Sequence, residues 1–464
     1  MSGGMSLARG IAEFVVSTRD VPAADLDAVE RSCFDTVGAL LAGRTSAHGR
    51  LVDDHVREQG GPARCSVLGS GYRTDAASAA YANGTFAHSD DFDDMGGYGH
   101  PSAPLLPALL AVAEHLGSGV SGMDVLVAHC VGFEVAAGLC GGYDQYDRCF
   151  HSTPVFGVLG TTCGVARLLG LSAEQTAAAL AIAASAAAGL GRATGTMVKP
   201  LHAGQAARNA VVAGLLARRG GTGSDTVFEA RGGFLEAFVG HRALDTEAFV
   251  ARLGNPFRAA RTLFLKRFPC CGSNHSAVSA LLDLTRAHDL TGEEIDEVVV
   301  HGMTETSPVL RYPSPADGCE AKFSIRYALA AVMVHGSLGV DDFRDERWAD
   351  PTVVRAMDKV RGEVVSRWTG SGASKRRGNP ITVRLRDGRV LEAFVPRSDL
   401  VGGPKVPLPE EDLTAKFRDN AARSLPADGV ARAERAWRSL RSTQDVVAAV
   451  ATVEGSDAWQ RQAS

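Results

Sequence analysis

The sequence contains no Cys-x-x-Cys pair, no Walker A loop, no Gly-x-Ser-x-Gly elbow and no His-Glu-x-x-His. These absences argue against a structural zinc site, a P-loop nucleotide site, a hydrolase nucleophile and a zinc protease. The glycine-containing stretches "GSGYRTDAA" and "GSGASK" do not form a dinucleotide fingerprint between a strand and a helix, so no nucleotide cofactor is expected. Nine cysteines in 464 residues are too few and too irregularly spaced for a disulfide scaffold, and the adjacent Cys270-Cys271 pair is poorly placed to bridge itself. The N-terminal "MSGGMSLARGIAEFVVS" lacks the apolar core and cleavage site of a signal peptide. The apolar segment 177–191 falls short of the ~20 residues that a membrane helix needs and reads as a buried helix. A cytoplasmic protein with reduced thiols is the expectation. The net charge of −5 provides no broad basic surface for nucleic acid or an anionic membrane, so any bound anion must meet a local basic pocket.

What is present is an ordinary globular composition, 45% hydrophobic and 22% charged, over a length sufficient for more than one core. The 52 glycines and many alanine-rich segments imply helices packed closely through small residues. Residues 5–265 read as helical almost throughout, with no strand run of useful length. The segment 24–43 ends on a glycine, a common C-cap signal. The pattern changes near residue 267. Helices are expected at 275–290 and 321–338, a strand at 295–303, and a hairpin over 381–396 about the turn "RDGR". The basic stretch 366–380 reads as a solvated connection. After "GGPKVPLP" the helical pattern resumes to about residue 452, as a tail expected to pack back on the first domain. The fold class is therefore mainly α with a smaller α+β domain. Residues 1–266 and 405–464 form the helical part, and 267–404 the α+β part.

Four segments share one grammar: "GHPSAPLL", "FHSTPVFG", "MVKPLHAG" and "CCGSNHSAV". Each places a basic residue (His100, His151, Lys199, His275) beside proline or a Ser, Thr or Asn cap, so each reads as a helix N-terminus. Such ends offer unpaired N–H donors and the positive end of a dipole, which together suit anions. Converging, they would hold a di- or tricarboxylate. The acidic run Asp90, Asp91, Asp93, Asp94 has three readings: a solvated loop, a hard-cation site, or a carboxylate that orients a basic catalytic group. The spacing is not that of an EF-hand, and no metal ligand set accompanies it.

At these residues the chain resembles the MmgE/PrpD family, which includes 2-methylcitrate dehydratase, cis-aconitate decarboxylase and iminodisuccinate epimerase. The resemblance runs from "CFDTVGALLAG" through "AYANGTFAHSDDFDD", "GHPSAPLLPALLAVAE", "HSTPVFGVLG", "KPLHAGQAARNA", "FPCCGSNHSAVSALLDL" and "AKFSIRYALA" to "PLPEEDLTAKFRDNA". It implies a large helical domain built from both chain ends, a smaller α+β lid, a homodimer, and catalysis without metal or organic cofactor. Carried over by position, it implies pocket residues Asp91, His100, His151, Lys199, Lys266 and Tyr327, with His202 and His275 at neighbouring motif positions. Two departures point away from the decarboxylases. Met95-Gly96 stands where family members often carry threonine followed by histidine or tryptophan. Cys270-Cys271 follows "KRFP" where the cis-aconitate decarboxylases have a histidine nearby.

The family's reactions share a carbanion, or something near it, beside a carboxylate, which calls for a positioned acid or base and for cations. The expected roles follow. Lys199, Lys266 and the helix ends clamp the carboxylates of a small polycarboxylate. His100 transfers the proton with Asp91 orienting it, and the other aspartates cap or are solvated. His151 protonates a leaving hydroxyl, and Tyr327 contacts substrate from the lid side. Cys271 is a candidate thiol acid/base set against a structural buried cysteine. A dehydrating lyase is the favoured reading. An epimerising isomerase, a decarboxylase and an inactive helical dimer are the alternatives.

Overall fold

The computed structural model describes residues 5–141, 149–240, 244–303, 309–344, 347–364 and 378–455. The chain divides into two units. The first comprises Met1–Arg192, Val198–Leu265 and Pro409–Ser464, and the second Ala193–Met197 and Lys266–Leu408. Most of the expected loop 366–380 lies outside the described residues.

The first unit is helical: α1 Leu7–Ser17, α2 Ala23–Arg44, α3 Ala47–Gln59, α4 Ala76–His88, α5 Ser102–Leu116, α6 Gly122–Cys140, α7 Ser152–Leu168, α8 Ala173–Ser185 and α9 Val198–Arg218. Serine and aspartate caps start several of them. Asp75 accepts from Ala77 and Ser78 at α4, and capping boxes open α6 (Ser121, Asp124) and α8 (Ser172, Gln175). Helix α6 is long and apolar enough to cross a membrane, but 83% of its apolar window is buried inside the fold, as befits a core helix. One element was absent from the sequence reading. A short antiparallel hairpin, β1 Cys65–Val67 and β2 Tyr72–Thr74, turns on Gly69 and Gly71, whose φ angles are +74° and +70°. Its strands are only three residues long, too short for any periodicity to show.

The abundance of small residues has its expected consequence. Helices α4 and α9 approach so closely that a Cβ on Gly84 would stand 3.0 Å from the Gly204 Cα. Gly43 corrects a local expectation. It does not cap α2, which runs on to Arg44, but lets the helix pass the Phe86 carbonyl oxygen, into which a Cβ would run.

The second unit holds α10 His275–Ala287, α11 Ile325–His335 and a four-stranded sheet ordered β4-β3-β5-β6 (β3 Ile295–Met303, β4 Val360–Val364, β5 Ile381–Leu385, β6 Val390–Ala393). Strands β3 and β4 are parallel, and the other pairings are antiparallel. Leu281 of α10, Leu329 of α11, and Val298, Val300 and Val383 of the sheet share one core. Gly388, at φ +90°, makes the "RDGR" turn. Beyond it the chain returns to the first unit as α12 Glu410–Ala421 and α13 Ala427–Arg438. There Phe417 of α12 stacks on Phe34 of α2 at 4.2 Å between ring centroids. The molecule is mainly α with a smaller α+β part.

Gly43→Ala should destabilise the protein by more than the 1–3 kcal/mol or so typical of overpacking, because backbone rather than a flexible side chain blocks the new methyl. Gly38→Ala, whose Cβ would meet Phe417 at 3.3 Å, should be milder. Urea denaturation of both variants checks the order.

Candidate functional site

The α4/α9 approach sets the site. His88 is the last residue of α4, one turn beyond Gly84, and Lys199 lies in the first turn of α9, ahead of Gly204. Clamping the two helices through these glycines places Lys199 Nζ 2.7 Å from His88 Nε2 and 2.9 Å from Asp91 Oδ1. The chain from His88 to α5 then folds back over this contact. Asp91 sits at φ +50°, a conformation that aspartate tolerates better than most residues but that still stores strain. Further on, Met95 and Phe264 exchange backbone hydrogen bonds of 2.9 and 2.8 Å, pinning the loop.

All four aspartates of the run are buried, with exposures of 3% or less. The aspartates other than Asp91, expected to cap or to be solvated, are thus not solvated, while Asp94 does accept an N–H at the start of α5, and partners offset the cost of burial. Asp91 pairs with Lys199. Asp93 stands 3.1 Å from His88 Nδ1 and 3.2 Å from His100 Nδ1. Asp94 accepts from the Ser102 N–H at 3.1 Å, from Ser102 Oγ at 2.7 Å, and from Ser32. Ser102 Oγ also lies 2.8 Å from His129 Nε2. Burial raises the Asp94 carboxyl to about 7 and lowers the His129 imidazole to about 3. Burial alone would raise Asp93 too, but the His88 and His100 rings hold it well below the usual carboxylate range. Burial, opposed by Asp93 but aided by Lys199, lowers His88 to about 4.

These directions fix the protons. An ionised Asp93 can only accept, so His88 carries its proton on Nδ1, and its bare Nε2 accepts from the Lys199 ammonium. Asp93 thus supports His100 from the Nδ1 side, while Asp91, expected to orient His100, is 3.6 Å from Nε2 on the other side and bound to Lys199. The His100 N–H donates to Thr153 Oγ1 in the first turn of α7 at 3.2 Å, joining two helix starts. His151 is the N-cap residue of α7, and its Nδ1 lies 3.1 Å from His202 Nδ1. Burial, then Lys199, drives the His151 imidazole well below its ordinary value, so it is neutral near pH 7. It therefore does not hold the stored proton expected for a leaving hydroxyl. From the tail, Lys416 of α12 donates to the Phe92 carbonyl at 2.9 Å and pairs with buried Asp35 at 2.7 Å. Its ammonium also lies 3.8 Å from the centre of the Phe92 ring.

Five of the nine expected site residues, Asp91, His100, His151, Lys199 and His202, gather in this cluster. The other four belong to the second unit. Lys266 is fully buried there, with Nζ 3.1 Å from the Cys270 carbonyl. Cys271 is buried, and its N–H donates to the Lys322 carbonyl at 3.0 Å. His275 opens α10 with its ring edge-on to Phe268. Tyr327 is a core residue. It is fully buried and its hydroxyl donates to the Asp342 carbonyl, which does not support the expected substrate contact. Of the cluster, His88 escaped the sequence reading altogether, and Asp93 was named there only as a member of the acidic run. Their signal was the His-x4-Asp spacing inside "AHSDDFDD", which sets both beside the end of one helix.

Ligand atoms of His88, Asp91, Asp93 and His100 lie within 4.8 Å of one another, a spacing that a divalent cation accepts by donor type. Here, however, the Lys199 ammonium already occupies His88 Nε2 and Asp91 Oδ1. The cluster carries its own cation. Lys199→Met should remove about 3–5 kcal/mol of stability, the usual result of leaving one partner of a buried pair alone. Lys199→Met/Asp91→Asn should recover part of that loss in urea denaturation.

With this geometry in place, comparison with known proteins gives a consistent answer. The MmgE/PrpD N-terminal domain matches residues 9–247 and the MmgE/PrpD C-terminal domain residues 268–441. A cis-aconitate decarboxylase-like protein of Aspergillus oryzae is 29% identical over 94% of each chain. The cis-aconitate decarboxylase of Homo sapiens is 30% identical over 90% of this chain and 87% of its own. A mitochondrial 2-methylcitrate dehydratase of Yarrowia lipolytica is 28% identical over 78% of this chain and 74% of its own. A chain matched along both domains in this way belongs to the MmgE/PrpD family.

Proposed function

We propose that the protein is a lyase acting on a small di- or tricarboxylate, by proton transfer at a carbon next to a carboxylate. The relatives support the class, since they are named as decarboxylases and dehydratases of such acids. The observation that carries the mechanism is the setting of His100. Its side chain is 14% exposed, against 4% for Asp91, 0% for Asp93 and 8% for Lys199, and it stands between Asp93 on Nδ1 and Asp91 on Nε2.

In this reading His100 Nε2 takes the α-proton. The imidazolium that forms has a carboxylate on each side and is stabilised where it stands. The Lys199 ammonium balances Asp91, and the starts of α5, α7 and α9, brought together by His100, His151 and Lys199, direct positive dipole ends at carboxylate charge growing in the transition state. Neutral His151 serves as a hydrogen-bond donor to a substrate oxygen, polarising without giving up a proton. Returning the proton from His100 to a β-hydroxyl completes dehydration of a 2-methylcitrate-like acid and releases water. The proton taken from the α-carbon leaves with the hydroxyl as water, while the electron pair of the C–H bond forms the alkene and that of the C–O bond departs with oxygen, so the step is redox-neutral.

Decarboxylation is the second reading, favoured by the decarboxylase relatives at 29–30% identity. There His100 delivers a proton to the carbon that has lost CO₂. Met95, buried and apolar directly after the acidic run, departs from the family's common threonine and weighs against this reading.

His100→Gln should lower turnover by at least ~10²-fold, the lower end for a general acid–base group, with an unchanged melting temperature. Normal turnover in that variant would remove His100 from the mechanism. Proton NMR in D₂O with 2-methylcitrate, citrate, cis-aconitate and substituted succinates separates the reactions. A new alkene signal reports dehydration, and CO₂ release with deuterium on carbon reports decarboxylation. Exchange without loss of either would replace the lyase with an epimerase.

A further inference from the structure

The contact between His151 and His202 has a consequence that the reaction class does not contain. Two imidazoles meet through like atoms, Nδ1 to Nδ1, at 3.1 Å. One hydrogen fits between them, so one ring must present Nδ1–H and the other a bare Nδ1. The rings therefore hold complementary tautomers: the acceptor carries its proton on Nε2, and the donor leaves its Nε2 bare. Neither ring escapes this by becoming a cation. Burial, with His88 and Lys199 adding to it, lowers His202 to about 4, and His151 lies well below its ordinary value.

The direction of the bond follows from where each ring sits. His151 is the N-cap residue of α7; its own side chain makes no capping bond to the first turn, and the positive end of the dipole favours a lone pair over an N–H on Nδ1. His202 lies one turn inside α9, away from that constraint, and is more exposed. We propose that His202 is a positioning residue. It donates its Nδ1–H to His151 Nδ1 and so holds His151 as the Nε2–H tautomer, a neutral donor fixed toward the site. His202 does not itself touch substrate. The catalytic use of that donor rests on the function proposed above, whereas the tautomers themselves do not.

Nitrogen-15 NMR of the histidine-labelled resting enzyme at neutral pH reads the tautomers without any substrate, with His151→Gln and His202→Asn for assignment. The expected result is the Nε2–H pattern for His151 and the Nδ1–H pattern for His202. The reverse pattern, or averaging of both rings, overturns the proposal even if the reaction class is right. Kinetics give the second arm. His202→Ala should lower kcat by at least ~10-fold with little change in KM, as expected for loss of one oriented donor. His202→Asn keeps an amide near the place of Nδ1 and should recover part of that loss, whereas His202→Gln, with its amide near the place of Nε2, should not. Equal losses in all three variants, at matched melting temperatures, would reduce His202 to packing and refute the positioning role. If an alanine variant fails to fold, the spectra of the wild-type enzyme still decide.

Discussion

One buried ammonium organises the site. Lys199 Nζ touches His88 and Asp91 at hydrogen-bonding distance, and every assignment around it depends on that charge. Because Lys199 is a donor only, His88 must turn a bare nitrogen toward it and a protonated one toward Asp93. Asp93 is then ionised and set against His100. Remove the ammonium and Asp91 becomes a buried charge without its counter-ion, while His88 loses the constraint that fixes its tautomer. A single cation thus specifies the protonation of three neighbours, a stronger ordering than its contribution to stability implies.

The ammonium reaches this place through backbone rather than side-chain means. Gly84 and Gly204 let α4 and α9 pack almost backbone to backbone, and no residue with a Cβ would leave Lys199 so near the end of α4. Beneath the same loop, Asp94, Ser32, Ser102 and His129 form a second buried polar group that secures the first turn of α5. It holds the backbone just after His100 in the way Thr153 holds His100 itself.

Much of this was legible in the chain. Proline and small polar caps marked four helix starts, and the structure has a helix beginning at each of them. The change from helical to mixed patterning near residue 267 and the "RDGR" hairpin also follow from local chemistry. What local chemistry could not show is which aspartate meets which base. Asp91 and Asp93 are two residues apart and chemically identical. Only the left-handed turn at Asp91, set by packing, sends one to Lys199 and the other between two histidines. The burial of Asp90 and Asp94 was hidden for the same reason, since an acidic run reads as solvated until its partners, distant in sequence, are known. Tyr327 misled in the opposite sense. A motif position suggested a ligand contact, and the fold gives its hydroxyl to a backbone carbonyl.

Lys416 links the two ends of the chain. It grips the Phe92 carbonyl between Asp91 and Asp93 from a helix more than three hundred residues downstream. During synthesis, α1 to α9 and the whole second unit emerge before the residue that secures the acidic loop exists. Lys416 can secure the acidic loop only when α12 lies against α2. The local order of the acidic loop therefore depends on a residue that the sequence around the loop does not contain.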